Sequence, residues 1–554
     1  MQNKRNVAFV YALLLTAALS FRVAVARFLP NDTPGDGKLY SQIARNLLEQ
    51  HVYSHATEPP YSPSLIRLPG YPLFLAAVYS VFGHRDDFAV RIAQALIDTA
   101  ACGLIALTAF NWEPDPELKR RSSIAALVLA ALCPFTTIYL ATILTETPTV
   151  FLVMLLCLTA TLAFTATTRR RALWFWFATG VVAGIAVLFR PDSGLFAAAA
   201  GITLVVTTLT RSSAQTTSKA REAWLRLSRA AYLGAVFSFA FCLVLTPWTI
   251  RNFRVFHLIQ PLAPAHAEMP GEFVPRGYLS WLRTWIDDPR YIGPVLWSLD
   301  ERRISPEEIP DQAFDSAEEK ERVAALLEKY NHPPDEEPLT VFSGSAKDAD
   351  IPPEDQPAQS DQSESTQTED EAAADDQSDE SEVDGAPESE DVLDQSVEMT
   401  PDIDVGFARI AGERISRNPI RYFILLPVKR GLSLWLDTHS QYYPFEGELL
   451  PLEDLDYDIH QQIWLPLFAA LTVLYTVLGI AGGWLLWRDK CDPMARTWLL
   501  LAATMILFRI AFFSTLENPE PRYVVEIFPF LSILGGIAVT RIINYRGYLK
   551  PTSV

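Results

Sequence analysis

The chain has 554 residues, of which 49% are hydrophobic, and a formal net charge of −19 at pH 7. That charge is local: residues 344–400 hold 20 Asp and Glu against one basic residue, Lys347, and the rest of the chain is balanced. With no basic tail and no nucleic-acid motif, a nucleic-acid partner is excluded. The apolar residues gather in runs of about twenty, which sets aside a soluble core in favour of an all-α polytopic membrane protein.

Lys4 and Arg5 precede an apolar run from Val7 to Phe28. Ala24-Val25-Ala26 would pass as a signal cleavage site. The run is long for a signal core, however, and Arg22 and Arg27 can snorkel from its far end to the interface, so it reads as the first span. The next loop, residues 29–87, is long and aromatic. Asp32 or Thr33 can cap a helix with Pro34 in its first turn. Leu39, Tyr40, Ile43, Ala44, Leu47 and Leu48 recur at helical spacing and predict an amphipathic helix on the bilayer surface, with Asp36 at its mouth. A second short helix is expected after the turn Pro69-Gly70-Tyr71-Pro72, through Phe74, Leu75, Val78 and Tyr79, too short to span.

Further spans are predicted near residues 88–110, 123–139, 148–167 and 172–189, then from the turn Arg190-Pro191-Asp192-Ser193 to 209, and at 231–246. The basic loops at Lys119, Arg120 and Arg121, at Arg169, Arg170 and Arg171, and from Arg211 to Arg229 all fall on the side of Lys4 and Arg5. The positive-inside rule then places the first loop, Thr145-Glu146, Arg190 and Pro247-Trp248 outside. A long outer region follows. Residues 251–343 are expected to be partly helical. Residues 344–400 lack the apolar groups needed to offset chain entropy and are expected to form a disordered spacer. Residues 401–462 include the run 418–436, where Lys429 and Arg430 would each cost about 2.5–3.5 kcal/mol at the centre of a span, so an interfacial helix is expected instead. Spans near 464–487, 497–513 and 524–542, each bounded by basic residues on the inner side, complete about ten transmembrane helices with both termini cytoplasmic.

The five cysteines, Cys102, Cys133, Cys157, Cys242 and Cys491, show neither CxxC spacing nor neighbouring His and read as small apolar packing residues. Asp98, inside the second span, is expected to pair with an Arg such as Arg91 or with a polar neighbour.

Asp36-Gly37-x-x-Tyr40 behind the first span, the helix that follows, and Arg67-x-Pro69-Gly70-Tyr71-Pro72 occur in an order that resembles the first outer loop of the GT-C superfamily of integral-membrane glycosyltransferases. Within it, the protein O-mannosyltransferases (glycosyltransferase family 39) and the bacterial lipid A aminoarabinose transferases are the nearest in pattern. The resemblance implies a GT-C-like fold, with residues 1–250 as the shared module and 463–554 as variable helices. It implies transfer of a hexosyl or pentosyl group from a polyprenyl-phosphate-sugar donor to a lipid, glycan or protein acceptor, on the outer face of a membrane such as the bacterial inner membrane. No cofactor is required by it, and a divalent metal finds no support in any ligand spacing, His55 and His266 included. The chain departs from the family in having Gly37 after Asp36, where the O-mannosyltransferases carry an Asp-Glu pair, and in its acidic insert.

On the matching residues, Asp36 would deprotonate an acceptor hydroxyl and stabilise charge developing on the sugar ring; a plain helix cap is the other reading. Glu146, at the second outer turn, would face Asp36 as an acidic partner, where like charges raise one pKa, or would simply suit the start of its helix. Arg22, Arg67, Arg91, Arg190, Arg251, Arg509 and Arg522 cluster toward the outer face. Of these, Arg67, Arg190 and Arg522 are taken as ligands of the donor phosphate, which guanidinium grips bidentately. Tyr40, Tyr71, Tyr523 and Trp248 are candidates to line the substrate cavity, beside their reading as an aromatic belt. A flippase or transporter of lipid-linked sugars, or an inactive scaffold, stays open. Neither calls for an interfacial Asp in a long structured loop, and transporters more often show repeats and broken helices, which the sequence does not display.

Overall fold

The computed structural model describes residues 2–29, 35–83, 86–210, 219–333, 397–440, 442–445, 459–489 and 494–548. The proposed cap at Asp32 to Pro34, Cys491 and nearly all of the acidic insert fall outside them. The described residues are all-helical. Among them, nine helices, or ten if one bent pair counts as a single span, are long and apolar enough to cross a membrane.

In chain order, α1 (Gln2–Phe28) is followed by α2 (Gly35–Glu49), α3 (Gly70–Phe82) and α4 (Asp87–Trp112). Next come α5 (Lys119–Ala131), α6 (Pro134–Thr137, continued as a 3-10 turn Ile138–Ala141), α7 (Glu146–Thr165), α8 (Arg169–Phe189), α9 (Gly194–Thr210) and α10 (Lys219–Phe256). The last is far longer than the span expected at 231–246, because Pro247 is accommodated inside it. A small unit holds α11 (Arg276–Leu282), α12 (Ala317–Asn331) and α13 (Pro401–Arg417). The chain ends with α14 (Leu426–Leu436), α15 (Ile459–Arg488), α16 (Ala495–Phe513) and α17 (Phe528–Tyr548). α17 forms the axis, almost wholly buried against α15, α5 and α4.

Close helix packing is written in glycine. On α8, Gly180 and Gly184 face α10, and a Cβ at Gly180 would lie 2.3 Å from the Phe237 carbonyl oxygen. This is the small-x-x-x-small spacing that lets membrane helices approach. Gly70 does the same for the first loop: a Cβ there would lie 2.6 Å from the Leu188 carbonyl oxygen, so the bare backbone lets α3 begin against the end of α8.

The third span is broken, with α5 and the α6 segment bent by 53°, a feature absent from the sequence reading. Pro134 has no N–H to give the Ala130 carbonyl. Arg22 supplies donors instead: its guanidinium reaches the carbonyl oxygens of Ala130 (3.3 Å) and Ala131 (3.2 Å), the Cys102 sulfur (3.1 Å) and Asp98 Oδ2 (2.6 Å). Both Arg22 and Asp98 are buried. One expectation is corrected here, since Arg22 does not snorkel; Asp98 does pair with an Arg, and that Arg is Arg22. Breaking such a pair costs about 3–5 kcal/mol, whereas replacing both partners by apolar groups is often tolerated. Asp98→Leu should therefore lower the thermal midpoint sharply in detergent, and Arg22→Leu added to it should restore much of the loss. Equal midpoints for the single and double variants would show that the pair is not coupled.

In the small unit, Tyr278, Trp281, Trp285, Tyr330 and Phe407 form a core of their own. Arg322–Glu413 (2.8 Å) and Arg414–Glu319 join α12 to α13, so the chain on either side of residues 334–396 enters one folded body. Val397 and Met399, counted with the acidic spacer in the sequence, are buried in it. The run 418–436 is a π turn followed by α14 and is not among the span-length helices. Its two bases find partners in the unit: Lys429 pairs with Asp287, and Arg430 donates to the carbonyl oxygens of Ile286 (2.6 Å) and Arg283 (2.7 Å).

Candidate active site

Asp36 lies in the first turn of α2, where a carboxylate suits the helix dipole. Its Oδ1 accepts from Arg67 Nη2 at 2.7 Å, and its Oδ2 lies 3.8 Å from Arg522 Nη1, beyond hydrogen-bond reach. Arg67 is held by the folded loop between α2 and α3. The Tyr53 hydroxyl donates to the Arg67 carbonyl (3.1 Å), and Arg251 of α10 donates to the Ser64 carbonyl (2.7 Å).

Arg522 stands in the seven-residue 3-10 segment Pro521–Ile527 ahead of α17. Three residues per turn put Tyr523 and Glu526 on one edge of that segment. The Tyr523 ring lies 5.1 Å from the Arg522 guanidinium and 5.8 Å from that of Arg190, and so joins two ionic groups. On the outer side, Arg522 pairs with Glu520 and donates weakly to the hydroxyls of Tyr442 (3.4 Å) and Tyr523 (3.3 Å). On the inner side, Arg190 bonds Glu146 (2.9 Å) and Asp192 (3.2 Å) and lies 3.7 Å from Glu526. Arg509 forms ion pairs with Asp192 (3.0 Å) and Glu526 (2.9 Å) and donates to the Tyr523 carbonyl (2.5 Å).

Access falls steadily along this chain of charges. Side-chain exposure is 35% at Asp36 and 24% at Arg67, 12% at Arg522, 10% at Arg190, and zero at Arg509 and Glu526. Among the described residues of this network, the Asp36–Arg67 end is the most exposed and the Arg509 end is fully buried. Tyr40, half-buried on α2, has the Arg67 guanidinium 6.0 Å from its ring. Burial, with the Asp36 and Glu146 charges adding to it, pushes its hydroxyl up to about 12, while Arg67 and Arg190 oppose the rise.

The structure thus brings together Asp36, Arg67, Arg522, Tyr523 and Tyr40, and sets Arg190 and Glu146 behind them. Three expectations change. Glu146 does not face Asp36: it is buried against Arg190, and its Oε2 has no hydrogen bond among the described residues. Arg190, expected as a phosphate ligand, is buried and already surrounded by three carboxylates. Tyr71 and Trp248 are buried packing residues. Tyr71 is fully buried, donating to Gln94 (3.0 Å) and packed edge-on to Tyr40; Trp248 packs on Tyr53 at 5.1 Å. Both anchor the loop that carries Arg67. The sequence reading missed Asp192, Tyr442, Glu520 and Glu526. Glu526 carried a signal, since an acid inside an apolar run needs a partner. Among the described residues, no three His, Cys, Asp or Glu gather into a metal-sized set, and four cysteines are free thiols.

The profile of the dolichyl-phosphate-mannose-protein mannosyltransferase family matches residues 62–248, about a third of the chain. Arg67, Tyr71, Glu146, Arg190 and Trp248 lie within the match; Asp36, Tyr40, Arg522 and Tyr523 lie outside it. Profile and helical architecture together support the class read from the sequence, an integral-membrane glycosyltransferase of the GT-C kind. No curated protein matches the chain. Two crystal structures of ArnT from Cupriavidus metallidurans, one bound to undecaprenyl phosphate and one in the apo state, are similar over 96% of this chain and 78% of theirs, at 14% identity and a TM-score of 0.33. That likeness is too loose to place any side chain.

Proposed function

We propose that the chain transfers a sugar from a polyprenyl-phosphate-sugar donor to an acceptor hydroxyl on a lipid, glycan or protein at the outer membrane face. Asp36 acts as general base, and Arg67 and Arg522 as ligands of the donor phosphate. The observation that carries this reading is Asp36 between two guanidiniums at the accessible end of an otherwise buried network. The family match over the adjacent segment supports it. So does the alternation of basic loops, which favours an outer location for this end.

The arrangement suggests how binding and chemistry are linked. An entering phosphate competes with Asp36 for Arg67 and Arg522, because guanidinium binds phosphate oxygens bidentately. Asp36, released from them, accepts the proton of the acceptor hydroxyl as its oxygen bonds the anomeric carbon. The bond from that carbon to the phosphate oxygen breaks, and the lipid phosphate leaves with its new charge held by the same two arginines. Arg190, Glu146 and Arg509 fix Tyr523 and hence Arg522.

Removing one charged hydrogen bond costs about 1.5–3 kcal/mol, so Arg67→Gln and Arg522→Gln should each weaken polyprenyl-phosphate binding by roughly tenfold to a hundredfold, measured with purified protein in nanodiscs. Unchanged affinity in both variants would rule out the clamp. A donor labelled in its sugar separates the rival reading, since a transporter would move the label across the bilayer still attached to its lipid.

A further inference from the structure

A groove lies at the opposite end of the bundle from Asp36. The amino-terminal part of α1, the carboxy-terminal half of α4 and the start of α5 enclose a groove of about 410 Å³, within the roughly 300–1,000 Å³ span of ligand sites. Its walls are apolar, with Tyr11 and Leu15 from α1 and Leu107 and Phe110 from α4; Gly103 leaves one side open, and Arg120 of α5 stands at the mouth. Arg120 is exposed and makes no ion pair among the described residues. The buried acid Glu113, just ahead of α5, is occupied by Arg541 (2.6 Å) and Ser122 (3.0 Å). Lys119, packed 5.6 Å over the Phe110 ring, and Arg121 add positive charge beside it.

We propose that this groove holds one anionic phospholipid from the leaflet on the basic-loop side, with an acyl chain between α1 and α4 and its phosphate on Arg120. Charge complementarity selects the occupant. Exposed Asp115 and Glu117 precede Lys119, Arg120 and Arg121 and offset part of their charge, leaving a net positive mouth; an apolar slot ending there fits an alkyl chain joined to a phosphate that carries net charge, and a zwitterionic head group offsets part of that attraction. The groove shares no residue with the transfer site, so the inference does not depend on the proposed activity.

The test uses the full chain in nanodiscs of equal phosphatidylglycerol and phosphatidylcholine, released into detergent and weighed by native mass spectrometry. A single retained phosphatidylglycerol is expected, preferred about tenfold, as one charge-assisted contact provides. Arg120→Gln should bring that preference close to unity. A Cβ at Gly103 meets nothing within 4 Å, so Gly103→Leu should fill the slot without disturbing the helix and lower retention of either lipid by about fivefold or more. Both variants should keep the wild-type thermal midpoint. Equal retention of the two lipids by the wild type, or retention unchanged in Gly103→Leu, would overturn the proposal.

Discussion

Replacing Asp36 with Asn should lower turnover by about 10²–10⁴-fold, the range in which a positioned acid or base contributes, with the protein otherwise intact. The amide keeps the shape of the carboxylate and can still accept from Arg67, but it cannot take up a proton from an acceptor. Stability should hardly change. Asp36 and Arg67 are 35% and 24% exposed, and ion pairs at such positions contribute about 0–1 kcal/mol. The measurement is the initial rate of sugar transfer, with the thermal midpoint recorded on the same sample. A flippase or a scaffold predicts no sugar transfer from the wild type either. A helix cap predicts the reverse pattern, a lower midpoint with turnover little changed.

Arg509→Leu should have the largest effect on stability. Its guanidinium is fully buried and is shared by Asp192, Glu526 and the Tyr523 carbonyl. Removing it leaves buried Glu526 with only Arg190, 3.7 Å away, while Asp192 keeps Arg190, at a cost of about 3–5 kcal/mol for a broken buried pair. It also frees the 3-10 segment that carries Arg522, so donor affinity should fall although Arg509 never meets the donor. Glu526→Leu added to Arg509→Leu should recover part of the midpoint. A midpoint within a degree or two of wild type for Arg509→Leu alone would mean that the buried end of the network does not hold the site.

The helices were legible because a bilayer core demands long apolar runs, and those runs fall where the span-length helices lie. What pattern could not supply was pairing. Arg22 and Arg190 sit near span ends, where snorkelling is the ordinary outcome, and nothing local shows that Pro134 frees a carbonyl for one or that Asp192 and Glu526 surround the other. The turn at Gly70 was readable as a turn; that it exists to bring α3 against Leu188 is a tertiary fact. Tyr71 and Trp248 show the same limit, since an aromatic at headgroup depth looks alike in sequence whether it faces a substrate or the back of a loop. Arg522 lies more than 450 residues from Asp36 and Arg67 in the chain; the resemblance to a known loop grouped the first two, and the inferred outer-face topology, not spacing, added the third.

The most direct measurement is the affinity of Asp36→Asn for polyprenyl phosphate beside its rate of transfer. If Arg67 and Arg522 are shared between Asp36 and the donor phosphate, the variant binds the lipid as tightly as wild type or more tightly while transfer is lost. Binding weakened by more than about tenfold, or 1.4 kcal/mol, or transfer continuing at the wild-type rate, would contradict that sharing.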